Sequence, residues 1–252
     1  MGGMDELVAL IAQTFNSKDI FNLEEVGVIV EPRPREQAEV DPKNALQAKD
    51  GYIGIRSWVL PKLYKRSIAR LVENREDIDA STSLLLTTPD NLTAWNARKA
   101  HTTRDNIATE LEFSRLMLTR APKSAESWSH RAWILREHAY PPSAEQMEIE
   151  LQLAWFAASR SAHNYYAGVH RARLLPWLSE SMAERERNKS RKWLQTHVTD
   201  ASGWWYHRAL RSAVSKDERS EDGAEQQWFH DMHGRYAQSS QNVAVQERLY
   251  RT

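Results

Sequence analysis

Three histidines each stand directly before an arginine, as His130–Arg131, His170–Arg171 and His207–Arg208, and two more, His230 and His233, are three residues apart. Imidazole is a common metal ligand, but zinc needs its ligand nitrogens about 2.0–2.1 Å from one ion. Residues holding the same place in successive copies of a repeat lie a whole repeat apart, so the three pairs do not converge on one ion. His230 and His233 can share a helix face, yet two ligands without a cysteine or a third histidine make a weak site. No metal is expected in this chain. A second chemistry rests on Lys123, in the stretch PKSAESWSHRAW. It stands one residue before Ser124, a good N-cap, and the free amides of a helix N-terminus favour anions. A lysine in a connecting turn is otherwise simply solvated.

The whole chain gives these groups little outside help. Lys plus Arg and Asp plus Glu both number 34 in 252 residues, so no net field draws a polyanion or a membrane surface. Cysteine is absent, which removes disulfides, thiolate zinc sites and cysteine nucleophiles together and fits a reducing, cytoplasmic setting. The N-terminal MGGMDELVAL has neither a secretory pattern nor the Ser or Thr of a myristoylation signal at Glu6. No apolar run approaches the ~20 residues of a membrane span. The length suits one large domain or two small ones and is enough to bury a core without covalent help, and no second domain is evident in the sequence.

The elements that position the His–Arg pairs come from an internal repeat. Aligning a tryptophan with an arginine three residues later gives Trp95 with Arg98, Trp128 with Arg131 and Trp205 with Arg208. A weaker copy keeps Arg171 and puts Gly168 in the tryptophan's place, and Val245 with Arg248 marks a faint fifth. Four residues before the anchors of the first, second and weaker copies stand Asn91, Ser124 and Asn164, N-caps whose oxygens accept from the first helical turn. The anchor, at the fourth helical position, packs back over the entering chain as a staple. Pro89 and Pro122 end the preceding helices. The tryptophans read as core and the arginines as ties to carbonyls or carboxylates at hairpin ends, because a guanidinium on an apolar face must be paired. At Gly168 the missing ring leaves Tyr165, Tyr166 or Trp177 to fill the space.

Between the copies run second helices with apolar stripes: Leu111, Phe113, Leu116 and Leu118 in one, Met147, Ile149, Leu151, Leu153 and Phe156 in the other. A hairpin can bury such stripes only by stacking on its neighbours. The expected fold is all-α, an α-α superhelix or solenoid of stacked helical hairpins in a single domain. Its N-terminal cap covers about residues 1–78, with repeat hairpins over about 79–213, a charged connection over about 215–226 and a degenerate last hairpin to 252. Within the cap, EEVGVIVEP is a short extended piece, Glu31 to Asn44 an exposed loop, and Tyr52 to Val72 a helix broken near Pro61.

The pattern Pro-x-Asn-x-x-x-Trp-x-x-Arg, with His-Arg in later copies, resembles the repeat of protein prenyltransferase α-subunits. The similarity extends over SLLLTTPDNLTAWNARK, APKSAESWSHRAWIL, HNYYAGVHR and HVTDASGWWYHR, within residues 50–213. It implies a crescent-shaped helical subunit, inert alone, that wraps a β-subunit of the Rab geranylgeranyltransferase type. That partner holds zinc and the pocket for a prenyl diphosphate co-substrate, which is transferred to an acceptor protein's C-terminal cysteine. Lys123 falls where the family's diphosphate-contacting lysine stands, and Asn164, Tyr165 and Tyr166 fall at its polar edge, with Tyr166 replacing the family's histidine. Trp95, Arg98, Trp128, Arg131, Arg171, Trp205 and Arg208 are carried over as structural repeat anchors. A competing reading is a tetratricopeptide-like adaptor or scaffold without transferase activity. That repeat, however, wants an early Trp-x-x-Leu, a Gly-x-x-Tyr and a closing proline.

Overall fold

In the computed structural model helices account for most of the residues described, which are 2–32, 41–138, 141–214 and the single positions 223, 227 and 228. The expected fifth copy at Val245 and Arg248, the His230–His233 pair, most of the charged connection and part of the Glu31–Asn44 loop lie outside them. The chain forms two compact units, Met1–Tyr140 and Pro141–Thr252.

The first unit begins with α1 (Gly2–Phe15), whose Leu7, Val8, Ile11 and Phe15 form one buried stripe at helical spacing. Strand β1 (Glu25–Ile29), a helical turn α2 (Pro42–Ala45), and strands β2 (Leu46–Lys49) and β3 (Tyr52–Arg56) follow. They make a three-stranded sheet of order β1-β3-β2, parallel between β1 and β3 and antiparallel between β2 and β3. This sheet corrects the expected helix from Tyr52. Asp50 and Gly51 both take positive φ, 49° and 81°, the conformation a two-residue hairpin turn requires and the reason an Asp-Gly pair stands there. Pro61 does not break a helix; it sits in the first turn of α3 (Leu60–Glu73), where its missing N–H has no bond to lose.

Helix α4 (Ile78–Thr87) is capped by Asp77, whose side chain accepts from the Ala80 amide, and residues 80–86 are all buried. It forms a hairpin with α5 (Leu92–His101), and α6 (Ile107–Arg120) forms the next with α7 (Ala125–His138); the two stack through α5 and α7. One continuous core runs from Leu7 and Phe15 through Ile55 and Leu84 to Trp95, Phe113 and Met117.

The second unit repeats the scheme. Helix α8 (Ala144–Arg160) pairs with α9 (Tyr165–Leu174), α10 (Glu180–Thr196) pairs with α11 (Ala201–Val214), and α9 packs on α11. Of the stripe expected on α8, Met147, Leu151 and Leu153 are buried, Phe156 is half-buried and Ile149 is 43% exposed. Trp155 and Ala158 take inward places that the expected stripe gave to Ile149 and Phe156.

Candidate functional site

The turns ahead of α5, α7 and α11 share one construction. The amides of Asn91, Ser124 and Asp200 donate to Thr88, Ala121 and His197 carbonyls, three residues back. The side chains of the same three residues then accept from Ala94, Ser127 and Gly203 amides at 2.9, 3.1 and 3.1 Å, closing the first helical turn. Four residues beyond each cap an indole N–H returns to the chain six residues before it: Trp95 to Pro89 at 2.8 Å, Trp128 to Pro122 at 2.9 Å and Trp204 to Val198 at 2.8 Å. The ring therefore acts as a staple with its polar atom satisfied.

This geometry shifts the last copy by one residue. Trp204 is the buried anchor, at 4% exposure, whereas Trp205 is 38% exposed. The arginine place three residues on is then His207, which is buried and bonded to Ser190 Oγ at 3.0 Å, while Arg208 is only half-buried. Two adjacent tryptophans and the His-Arg spelling favour the wrong alignment. The cap decides it, because Asp200 lies four residues before Trp204 and only Ala201 lies four before Trp205.

Two and three residues past the anchors the side chains turn inward onto buried glutamates that sequence reasoning missed. His130 meets Glu110 at 2.7 Å, His170 meets Glu150 at 2.7 Å and Tyr206 donates to Glu186 at 2.9 Å, each pair twenty residues apart. Arg98 grips Glu110 with two bonds of 2.7 Å beneath the Phe113 ring. Burial alone raises the Glu110 carboxyl, but the Arg98 charge and the His130 and Arg98 hydrogen bonds prevail and hold it at about 2. Burial pushes His130 below the usual imidazole range, against the pull of Glu110. Arg131 donates to the Leu111 carbonyl and Ser114 Oγ at 2.6 and 2.9 Å. Arg171 sits in the corner formed by the nearly perpendicular Trp155 and Tyr206 rings, 3.9 and 4.0 Å from their centroids, within cation–π reach of both. Burial lowers its guanidinium and raises the Tyr206 phenol, so Tyr206 stays a donor to Glu186. Among the described residues no three His, Asp or Glu side chains are grouped to hold a metal; the histidines pair with carboxylates or a hydroxyl instead.

Lys123 is exposed in the turn between α6 and α7. The N-terminus beside it is already served from within the fold. Asp90, in the turn of the preceding hairpin, accepts from Ser124 Oγ at 2.8 Å and from the Glu126 amide at 3.3 Å, while Ser124 takes the Ser127 amide. An anion approaching Lys123 meets a carboxylate at those amides, so Lys123 has to act through its own charge.

In the second unit Asn164 is 2% exposed and caps α9, accepting from the Ala167 amide at 3.1 Å and donating to the Ala157 carbonyl at 3.3 Å. Tyr165 and Tyr166 are exposed and stand edge to face, 5.7 Å apart, and Tyr165 lies 6.2 Å from Trp205. At Gly168 the space expected for Tyr165, Tyr166 or Trp177 is taken by α11. A Cβ there would lie 3.5 Å from the Ser202 carbonyl and 3.8 Å from the Trp205 ring. Trp177 packs instead beside Met147, Leu151, Leu174 and Met182.

A profile of the protein prenyltransferase alpha subunit repeat matches residues 107–138, the span from the start of α6 to the end of α7. The chain is 30% identical over 228 residues to protein prenyltransferase alpha subunit repeat-containing protein 1-A of Xenopus laevis, covering 77% of this chain and 52% of that protein. It is 28% identical over 233 residues to protein prenyltransferase alpha subunit repeat-containing protein 1 of Danio rerio (78% and 53%) and 29% over 256 residues to that of Homo sapiens (86% and 62%). It thus spans about half the length of the first two of these relatives. Residues 107–138 thus carry a protein prenyltransferase alpha subunit repeat, and the capped, tryptophan-stapled hairpins described above belong to a chain similar to proteins that contain such repeats.

Proposed function

We propose that the chain serves as an α-type subunit that docks on a prenyltransferase β-subunit, of the Rab geranylgeranyltransferase type, and is inert by itself. The carrying observation is that Lys123 projects into solvent at the tip of the hairpin that matches the family repeat, where the family's diphosphate contact belongs. Transfer of an isoprenoid to the C-terminal cysteine thiolate of an acceptor protein releases diphosphate, and a fixed cation near the leaving oxygens stabilises the charge that develops there. On this reading zinc and the prenyl diphosphate reside with the partner, Tyr165 and Tyr166 offer phenols toward the shared edge, and Asn164 supports them through its cap. Among the described residues no helix is long and apolar enough to cross a membrane, in keeping with a cytoplasmic assembly.

A second reading, a scaffold that holds the β-subunit without supporting transfer, is favoured by Asp90, which already occupies the amides beside Lys123. Co-expression with candidate β-subunits separates the two. A one-to-one complex whose geranylgeranyl transfer falls about 100-fold or more in Lys123→Ala supports the subunit reading. A complex without transfer supports the scaffold, transfer unchanged in Lys123→Ala removes the lysine's role, and no complex with any β-subunit overturns both.

A further inference from the structure

Helices α8 and α10 face each other across a groove of about 520 Å³, within the range of about 300–1,000 Å³ typical of specific sites. On α8 the wall is Gln152, Trp155, Phe156 and Ser159. On α10 it is Lys189, Lys192, Trp193 and Thr196. Each wall is an i, i+3, i+4, i+7 stripe, two helical turns or about 10 Å long, the spacing with which one helix receives another. Close packing between these two hairpins runs through α9 and α11, while Trp155 and Trp193, 5.6 Å apart, meet in the groove.

Both indoles are held before any ligand arrives. Trp155 Nε1 donates to Glu186 at 2.9 Å, and Trp193 Nε1 donates to Asp200 at 2.9 Å with its ring stacked on His197 at 3.6 Å. An aromatic surface fixed in this way loses little side-chain entropy on contact. Above it the charge has one sign. Among the described residues no carboxylate lines the groove, Lys189 and Lys192 are exposed, and Lys189 Nζ lies 5.2 Å from the Trp155 centroid. At one end Arg160 rests over Phe156 at 5.1 Å, and Glu148, one turn before Gln152, is paired with Arg185 at 3.1 Å. In a chain with no net charge this is a local basic, aromatic trough.

We propose that this groove receives an acidic amphipathic helix of a partner protein, with large apolar side chains on the half-buried Phe156 and Trp193 above the buried Trp155 and carboxylates toward Lys189 and Lys192. A helix fits better than an extended peptide because the walls are helices whose backbone groups are already used. They offer no sheet edge, whereas a bound helix satisfies its own backbone. The site lies wholly within the second unit and does not depend on a β-subunit.

The test uses the full chain and fluorescein-labelled designed peptides of two to four turns, with leucines at i, i+3, i+4 and i+7 flanked by glutamates. Controls are the same peptide with lysines for glutamates, the same peptide with a central proline, a single-stranded RNA oligonucleotide, and vesicles containing phosphatidylserine. Saturable binding of the acidic helix is expected, weakened by salt, lost in the lysine and proline peptides, and weakened about tenfold or more by Lys189→Glu with Lys192→Glu. Amide hydrogen exchange should slow at residues 152–159 and 189–196. Unchanged circular dichroism shows that the double variant is folded, and Glu6→Lys, in the first unit, serves as a charge control. The proposal is overturned by absent binding, by equal binding of the lysine peptide, by indifference to the double variant, or by tighter binding of RNA or vesicles. Self-association that Lys189→Glu abolishes, seen by light scattering without peptide binding, also overturns it in favour of a second copy.

Discussion

The indole N–H of Trp204 donates to the Val198 carbonyl at 2.8 Å, repeating without a proline the bond that Trp95 and Trp128 make to Pro89 and Pro122. The staple therefore depends on the turn's backbone and on the ring, and proline is one way of shaping that turn. Trp204→Ala should cost about 3–5 kcal/mol, as truncation of a buried aromatic does. Trp205→Ala should cost about 1 kcal/mol or less, since its ring is partly in solvent. Urea unfolding of the two variants checks the register; equal losses, or the reverse order, would return the anchor to Trp205.

Two titrations should separate in pH. His207, held at about 4 by burial and by Arg191, Arg211 and Arg187, is harder to protonate in the folded state than in the unfolded one. Its contribution is complete above about pH 6.5 and is lost as pH falls toward 4, about 3 kcal/mol in all. Glu110, held at about 2, keeps its contribution above about pH 4.5 and loses a similar amount as pH falls toward 2. Urea midpoints from pH 7.5 downward should therefore decline in two stages, and His207→Gln should shrink the upper one to the part that His130, also depressed by burial, contributes, leaving the lower one unchanged.

The charge network of the first unit predicts a non-additive pair. Glu110→Gln leaves Arg98 buried without its carboxylate and should cost about 3–5 kcal/mol. Adding Arg98→Met removes the stranded cation, so the double variant should be more stable than Glu110→Gln by itself. Denaturant unfolding of both proteins measures the difference.

Much of this could be read from local chemistry. Asn91, Ser124 and Asn164 announce their helices because a cap acts within four residues of itself, and the buried Trp95 and Trp128 follow from them. The sheet was hidden for the opposite reason. Its β1–β3 pairing joins distant segments, although Asp50-Gly51 was a legible turn signal. Glu110, Glu150 and Glu186 were missed because a glutamate inside a helix ordinarily faces water, and only the constant twenty-residue offset to His130, His170 and Tyr206 betrays them. At the candidate site Lys123 was visible by position, but Asp90 closing the next helix is a long-range contact that no local motif encodes.

Gly168 offers a gain. An added Cβ would make ordinary contacts of 3.5 Å or more, so Gly168→Ala should raise stability by about 0.8–1.0 kcal/mol through helix propensity alone. Gly168→Trp, which restores the repeat's spelling, should instead lower it, because α11 already fills the space. Thermal unfolding of the two variants should move in opposite directions.

Asp90→Ala removes the carboxylate that Ser124 and the Glu126 amide share and should cost about 1 kcal/mol. If Lys123 meets a diphosphate in the assembled complex, the same change should tighten inorganic pyrophosphate there, which equilibrium dialysis of the complex measures.

The bond from Asp90 to the start of α7 also bears on how the chain can be cut and recombined. The α6–α7 hairpin excised whole leaves behind Asp90, which finishes its second helix, and parts Glu110 from Arg98, whereas an excision that begins at Pro122 also leaves Asp90 behind and parts Glu110 from His130. Hairpins exchanged with similar repeat proteins should therefore retain stability only when the junctions fall inside helices, with the preceding turn carried along. The transferable module is a turn, its helix and the next turn, out of step with the hairpin the eye picks out.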